Sequence, residues 1–193
     1  MKVGDVLINE SVLIEIGSTG RNAGKTTMAT KLINKYAGNY PIYGLKIITI
    51  SGDRGKCQRG VKGCGICTSI SSGYELVKER RTKGNKDTTQ MLNAGCQEVY
   101  LLKSFNNCLE EAFETFLEQI PPHSLIVCES NSLRKVIEPD IFLMMHNDQK
   151  KVKPSAQSVL DLVDYHLREA IIPKVVDTII HKLDLVNVSK GEG

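Results

Sequence analysis

The sequence predicts a three-layer α/β fold with a mainly parallel central sheet. Two observations carry this prediction. Apolar runs of strand length alternate with segments of helical apolar spacing, and a glycine-rich segment joins an early run to the first helical pattern. In folds of this kind ligands bind at the carboxyl ends of the strands. We therefore expect functional residues where the apolar runs end.

The glycine-rich segment spans residues 17–27 and reads Gly-Ser-Thr-Gly-Arg-Asn-Ala-Gly-Lys-Thr-Thr. It follows the apolar run 12–16 and precedes a helical pattern, which is the order of a phosphate-binding loop. Glycine permits the tight curl that turns backbone N–H groups towards phosphate oxygens. The usual spacing has a glycine where Thr19 stands, but Gly17 and Gly20 flank that position. The motif predicts a P-loop NTPase fold, and the alternative is a glycine-rich turn that binds nothing.

The loop residues have distinct expected roles in binding GTP or ATP. Lys25 is expected to reach the β- and γ-phosphates, and Thr26 to place its hydroxyl on Mg²⁺. The helix that begins there points the positive end of its dipole at the anion. Arg21 could stabilise phosphate charge or simply lie exposed. The predicted nucleotide-binding residues of the loop are Thr19, Gly20, Arg21, Asn22, Ala23, Gly24, Lys25, Thr26 and Thr27.

The other elements are predicted from apolar spacing. The segment 42–50 is almost continuously apolar, as is typical of a strand buried on both faces. Residues 51–86 instead change to Gly, Cys, Ser, Lys and Arg with little periodicity, which predicts a cysteine-rich loop insertion in one domain spanning residues 1–193. In chain order we predict strands at residues 6–8, 12–16, 42–50, 99–102, 125–128 and 140–145, and helices at residues 26–36, 88–93, 106–120, 155–167 and 175–183.

Composition limits the classes of protein to which the chain can belong. With 193 residues, of which 41% are hydrophobic, one well-buried domain is expected. The formal charge of +3, from 25 basic and 22 acidic residues, falls far short of a dedicated nucleic-acid binder. No apolar run is long enough to span a membrane, and the start lacks the apolar core of a signal peptide. We therefore expect a cytoplasmic protein that binds neither nucleic acid nor membrane.

Two carboxylates follow predicted strands and are candidates for metal chemistry. Glu129 comes directly after the apolar run 125–128, where a carboxylate can reach Mg²⁺ or its bound water. Asp53 follows the strand that ends at residue 50 and would emerge at the same edge as the phosphates. The alternatives are an ordinary carboxylate at a strand end and a turn aspartate. The predicted catalytic residues are Lys25, Thr26, Asp53 and Glu129.

Three segments resemble the MobB family of molybdopterin-guanine dinucleotide biosynthesis adaptor proteins, which are GTPase-like P-loop domains. These segments are the loop 19–27, Gly-Leu-Lys at residues 44–46, and Lys-Asp-Thr at residues 86–88 followed by Ala-Gly-Cys at 94–96 and by Val99. Together with the apolar strand that ends in Glu129, these segments span roughly residues 12–130. The resemblance implies GTP binding, dimerisation and service to a molybdenum-cofactor enzyme.

By the same resemblance, Lys46 and Asp87 would lie near the nucleotide or the delivered ligand. The alternatives are a lysine that reaches past apolar neighbours to solvent and an aspartate that caps a helix. The chain departs from the family pattern after Lys46, where cysteines replace a histidine-bearing stretch. It departs again at residues 130–132, where Ser-Asn-Ser replaces a glycine and an aromatic residue.

The cysteines of residues 57–67 form a candidate metal site of their own. Cys64 and Cys67 stand in a C-x-x-C turn that can bring both sulfurs to one metal, and Cys57 is close enough in sequence to add a third thiolate. Soft thiolates favour zinc, copper(I) or an iron–sulfur cluster. A redox dithiol and a loop of free thiols are the alternatives.

Asp148 is a candidate for reading a guanine base because it follows the last predicted strand. The expected N-K-x-D order is absent, and a loop aspartate that caps the next element is the alternative.

The leading hypothesis from the sequence is a Mg²⁺-dependent GTP- or ATP-binding adaptor with slow hydrolysis, acting in molybdenum-cofactor or metal-cofactor maturation. Its expected partners are the nucleotide, a client metalloenzyme or cofactor-biosynthesis protein, and a second copy of the chain. Two alternatives come from other classes of protein. One is a metal or iron–sulfur binding protein with a regulatory nucleotide site, and the other is a small-molecule kinase.

Overall fold

The structure, a computed structural model, describes residues 10–50, 69–148 and 151–184. These residues form a seven-stranded sheet in the order β3-β4-β2-β5-β1-β6-β7. Every pair of neighbouring strands is parallel except β3 with β4. The elements are β1 (Val12–Ser18), α1 (Lys25–Tyr36), β2 (Ile42–Ile50), β3 (Tyr74–Lys78), α2 (Asp87–Asn93), β4 (Glu98–Phe105), α3 (Leu109–Leu117), β5 (Leu125–Glu129), β6 (Ile141–Met145), α4 (Pro154–Gln157), β7 (Tyr165–Leu167) and α5 (Val175–Ile180).

Helices cover both faces of the sheet and make it the middle of three layers. On one face α1, α2 and α5 pack on alternate residues of β1 and β5, including Ile14, Ile16 and Val127. On the other face α3 packs on the intervening residues, including Leu13 and Ile126. Side chains alternate between the faces of a strand, so central strands buried on both sides are continuously apolar. The predicted three-layer α/β fold with a mainly parallel sheet is confirmed.

The register of the central strands determines which side chains meet at their carboxyl ends. Glu129, the last residue of β5, pairs with Ile16 of β1 on one side and with Lys46 of β2 on the other. All three side chains lie on the face that α1 and α2 cover, because they are in register on neighbouring parallel strands. Lys46 and Glu129 are therefore brought together next to the start of α1.

Most predicted elements are present with shifted ends, and two predictions are wrong. Residues 51–86 are not simply a loop, since β3 lies within them and pairs antiparallel with β4. Residues 155–167 are not one helix but consist of α4, a short 3₁₀ turn at Leu160–Leu162 and β7. The predicted strand at residues 6–8 lies outside the described residues. Within the described ranges, no helix is both long and apolar enough to cross a membrane.

Candidate functional site

The loop between β1 and α1 curls through two residues of positive φ. Asn22 has a φ of 56° and Gly24 a φ of 90°. Gly24 directly precedes the first helical residue, Lys25, and no described side chain makes a capping hydrogen bond there. A helix that begins without a side-chain cap leaves its first-turn N–H groups to bind an anion. The loop thus curls sharply and leads into a helix start that no described side chain caps.

Gly17 serves a different purpose from Gly24. A side-chain carbon at Gly17 would come within 2.9 Å of both Met144 and Phe142. Such a contact is too short for a real side chain, so glycine is needed where β1 packs beside β6. The first glycine of the glycine-rich segment is explained by packing within the sheet rather than by the ligand.

Two asparagines from distant segments hold the loop in place. The side chain of Asn131 accepts the N–H of Ser18 at 2.8 Å and donates to the carbonyl of Ser18 at 2.8 Å. Asn147 donates its backbone N–H to the Thr19 hydroxyl at 2.9 Å and its side-chain amide to the carbonyl of Arg21 at 2.9 Å. Thr19, which replaces the usual glycine, is buried and anchors the loop to the segment after β6.

Thr26 links the loop to α2. Its hydroxyl donates to Oδ1 of Asp87 at 3.2 Å. Asp87 is the first residue of α2, and Lys86 occupies the cap position without a side-chain capping bond. The alternative role of Asp87 as a helix cap is therefore wrong. Its carboxylate instead reaches across to α1.

Lys46 joins the same cluster from β2. Its ammonium donates to Oδ2 of Asp87 at 2.6 Å and to Oε2 of Glu129. The Lys46 side chain is only 10% exposed and that of Glu129 is fully buried, whereas Asp87 is 44% exposed. The alternative of a lysine that reaches solvent is thus wrong, because the ammonium is held between two carboxylates.

The electrostatics of this cluster favour the charged forms of Lys46 and Asp87. Burial would lower the pKa of Lys46, but the carboxylates of Glu129 and Asp87 outweigh it and raise that pKa above its usual value. Burial likewise opposes the ionisation of Asp87, yet the Lys46 ammonium and the Thr26 hydroxyl hold the pKa of Asp87 below its usual range. Lys46 and Asp87 therefore face each other as an ammonium and a carboxylate at neutral pH.

The oxygens at this position fit Mg²⁺. Oε1 of Glu129 is buried and has no hydrogen-bond partner among the described residues. The Thr26 hydroxyl and the partly exposed Asp87 carboxylate complete a set of hard oxygen donors of the kind that Mg²⁺ takes. Within the described ranges, neither this site nor any other contains three or more His, Cys, Asp or Glu side chains that could hold a metal ion. A magnesium ion here would need further oxygens from phosphates and water.

A cavity of about 790 Å³ lies over the loop and the cluster. Apolar and neutral side chains from the ends of β2 and β5 form part of its wall, including Ile48, Thr49 and Ser132. A surplus of positive charge in a concave site attracts polyanions. In the part of the chain that the structure describes, the carboxylate of Asp87 lines the cavity opposite five cationic side chains, which are Arg21, Lys25, Lys46, Lys151 and Lys153.

The structure brings many of the predicted site residues together. The loop residues from Gly20 to Thr27, Lys46 and Asp87 line the cavity, and Glu129 lies beneath it in contact with Lys46. Asp148 does not line it. That carboxylate forms an ion pair with Arg168 at 2.8 Å on the surface, and its role in reading a base stays a prediction.

Four predicted residues, Asp53, Cys57, Cys64 and Cys67, lie outside the described residues. Their proposed roles in magnesium, zinc or iron–sulfur binding stay predictions.

Several contributors were missed from the sequence. Asn131 and Asn147 bond to the loop backbone from more than 100 residues away, and no local pattern marks such contacts. Lys151 and Lys153 belong to a basic cluster after β6 that looks like an ordinary solvated surface. Lys153 donates to the Ser18 hydroxyl at 3.2 Å and its backbone N–H donates to the carbonyl of Thr19.

Glu15 is a second buried carboxylate, on the opposite face of β1. It is fully buried, and neither oxygen makes a hydrogen bond of good geometry with the described residues. Burial raises the pKa of Glu15 to about 8, although the nearby Arg134 backbone N–H and the Ser130 hydroxyl oppose the rise. Glu15 thus lies beside the segment that follows β5 and does not line the cavity.

Comparisons of this chain with protein-family models, with curated proteins and with solved structures find no match. A functional assignment therefore depends on the geometry of the loop, the Lys46 cluster and the cavity.

Proposed function

We propose that this chain binds GTP or ATP together with Mg²⁺ and hydrolyses it slowly. The observation that carries the proposal is the junction of β1 and α1. There a loop of positive-φ residues leads into a helix without a side-chain cap, and Lys25 lines a cavity with a surplus of cations. A polyphosphate is the ligand class that matches both the curled backbone and the charge.

Each group in the site has a part in this function. Lys25 and the loop N–H groups bind the phosphate oxygens and neutralise charge that develops on them. Thr26, Asp87 and Glu129 would hold Mg²⁺, which when bound supplies further positive charge to the same oxygens. In hydrolysis a water oxygen bonds to the γ-phosphorus as the bond to the bridging oxygen breaks. The nucleoside diphosphate and inorganic phosphate are released.

Slow turnover follows from what surrounds the γ-phosphate position. Among the described residues, the glutamine that lines the cavity is Gln90, and its amide donates to the carbonyl of Asn85 at 3.1 Å. This amide is therefore not held ready to orient a water. Fast hydrolysis in P-loop proteins depends on such a group or on an arginine supplied by a partner. We therefore expect a client protein to accelerate the reaction.

The resemblance to the MobB family supports a more specific role. It covers the loop, the strand that carries Lys46 and the segment that carries Asp87, which are the parts that meet in the site. On this basis the chain serves as an adaptor in molybdenum-cofactor or other metal-cofactor maturation, and acts as a homodimer.

The experiment that tests nucleotide binding compares Lys25→Ala with Lys31→Ala. Both lysines lie on α1, but the Lys31 ammonium donates to the carbonyl of Ala170, away from the cavity. Fluorescent GTP and ATP analogues are titrated into each variant with Mg²⁺. Lys25→Ala should weaken binding roughly 10- to 100-fold, because one charge-assisted contact to phosphate is lost. Lys31→Ala should bind as the unaltered chain does. If the two variants bound nucleotide with equal affinity, Lys25 would not be part of the binding site.

A small-molecule kinase is a second candidate, favoured by the extent of the cavity. Its wall continues from the loop to Ile48, Thr49 and Ser132, where an acceptor could lie beside the phosphates. The test measures the release of inorganic phosphate with and without a metabolite extract. An equal rate in both cases, with no phosphorylated metabolite formed, would argue against this candidate.

A further inference from the structure

Lys46 occupies the place between two carboxylates where a metal ion would be expected. It is paired in register with Glu129 on the neighbouring strand, and its ammonium bonds to both Glu129 and Asp87. A buried lysine is stable only when it is paired. Conversely, two carboxylates this close together require a positive charge between them. The ammonium and the two acids therefore depend on each other.

The Lys46 ammonium does not bond to every carboxylate oxygen of this cluster. One ammonium faces two acidic side chains, and Oε1 of Glu129 is left buried without a partner among the described residues. The Thr26 hydroxyl donates to Asp87 and so is also directed at the same acid. The oxygens that suit a divalent cation are thus already assembled, and a lysine holds them.

We propose that Lys46 is an internal substitute for the metal, which blocks divalent cations from the Thr26, Asp87 and Glu129 oxygens until a nucleotide binds. This inference rests on the proposed function, because the nucleotide is what releases the block. The phosphates of a nucleotide offer the ammonium other anionic partners, since Lys46 also lines the cavity. Lys46 is accordingly a positioning residue that sets the order of binding.

The order of binding has a defined consequence. Without nucleotide, a metal ion should not bind here, because it would have to displace a buried ammonium that has no counter-ion other than Asp87 and Glu129 among the described residues. Metal and nucleotide together replace the Lys46–Asp87 contact, and this change reaches α2 through its first residue. Each ligand should then tighten the binding of the other.

Mn²⁺ is the probe for this inference, used alone on the full chain and followed by its electron paramagnetic resonance signal. The unaltered chain should take up no stoichiometric Mn²⁺ at this site without nucleotide. Lys46→Met removes the ammonium and keeps the bulk of the side chain. It should bind one Mn²⁺ at least about tenfold tighter than the unaltered chain, because the repulsion by a nearby charge is gone. Adding Asp87→Asn to this variant should abolish the gain.

Two controls separate this effect from a general loss of positive charge. Lys151→Met removes another cavity lysine that is exposed, and should gain no Mn²⁺ binding. Lys46→Arg keeps the charge and should also gain none. If Lys151→Met gains as much as Lys46→Met, or Lys46→Met gains nothing, the inference is overturned.

The unaltered chain provides a test that does not depend on whether Lys46→Met folds. Stoichiometric Mn²⁺ binding without nucleotide that is lost in Asp87→Asn would overturn the inference. Mn²⁺ binding that appears only with nucleotide would support it. Failure of the proposed function looks different: neither nucleotide analogue binds, while Lys46→Met still gains Mn²⁺.

Discussion

Gly24 adopts a backbone conformation that other residues reach only with strain. Its φ is 90°, and an added side-chain carbon would meet only Met145, at an ordinary 3.5 Å. The cost of Gly24→Ala therefore comes from the backbone and not from a clash. We expect this variant to lose about 1 kcal/mol of the free energy of unfolding and to bind nucleotide more weakly.

Gly38→Ala is the matched control for this prediction. Gly38 has no positive φ in the strained range and nothing within 4 Å of an added carbon. Denaturant unfolding of the two variants should show a loss for Gly24→Ala alone. If both variants had the same free energy of unfolding, a side chain at residue 24 would not strain the backbone.

Glu15 makes the stability of the fold depend on pH. Its pKa is raised to about 8 from the ordinary 4.5, so the folded chain keeps the proton to higher pH than the unfolded chain does. The stability linked to this proton is complete below pH 4.5 and is lost as the pH rises to about 8. Glu15→Gln stays neutral at every pH and removes this loss.

The variant and the unaltered chain should therefore be similarly stable at pH 5, whereas at pH 9 Glu15→Gln should be more stable by on the order of 3 kcal/mol. Thermal unfolding across this range measures the difference. Glu114→Gln, which changes an exposed carboxylate on α3, should leave the pH dependence unaltered. Parallel pH profiles for Glu15→Gln and the unaltered chain would contradict the prediction.

At the scale of elements, α2 connects the proposed nucleotide site to β3. Asp87 bonds to Thr26 and Lys46, and the next residue, Thr88, donates its hydroxyl to Glu79 just after β3 at 2.7 Å. Two adjacent side chains at the start of one short helix thus hold two different parts of the molecule. A change at Asp87 is expected to reach Glu79.

Hydrogen exchange of backbone amides tests this connection. With Mg²⁺ and nucleotide, peptides covering residues 79–93 should exchange more slowly, because the start of α2 gains a bound ligand. Peptides from α3 on the opposite face serve as the internal control and should not change. In Asp87→Asn the protection of the loop should persist while that of α2 disappears. If nucleotide slowed exchange only in the loop of the unaltered chain, the predicted connection between α2 and the site would be contradicted.

The central strands could be predicted from the sequence because burial on both faces leaves continuous apolar runs. β3 could not, since it is a five-residue edge strand whose residues are half-buried or exposed. The wrong helix at 155–167 has a physical cause. Its apolar residues do pack together, but Asp164 accepts the N–H of Phe142 at 2.7 Å and holds the chain beside β6 as β7. That contact joins segments 22 residues apart, which periodicity does not reveal.

In the candidate site too, local motifs can be predicted from the sequence, whereas contacts between distant segments cannot. The loop and the strand-end Glu129 were predicted because motif and strand order fix where they lie. The resemblance added Lys46 and Asp87, but their mutual contact depends on the register of β2 with β5 and on the packing of α2. The bracing by Asn131 and Asn147 could not be predicted, because it joins side chains to backbone across the whole fold.

For the whole molecule, the distribution of charge matters more than its total. The formal charge is only +3, yet among the described residues the cavity is lined by lysines and an arginine against one carboxylate. A modest surplus is thus concentrated where a polyphosphate would bind. This concentration, together with the uncapped start of α1, is the main support for nucleotide binding.

The most direct measurement is the change in backbone amide resonances of the ¹⁵N-labelled full chain on adding GTP or ATP with Mg²⁺. We predict that at least one nucleotide produces its largest shifts in the amides of residues 20–27, because these N–H groups would bond to the phosphates. Lys25→Ala should reduce those shifts at the same concentration. Saturating amounts of both nucleotides that leave residues 20–27 unchanged would contradict the proposed function.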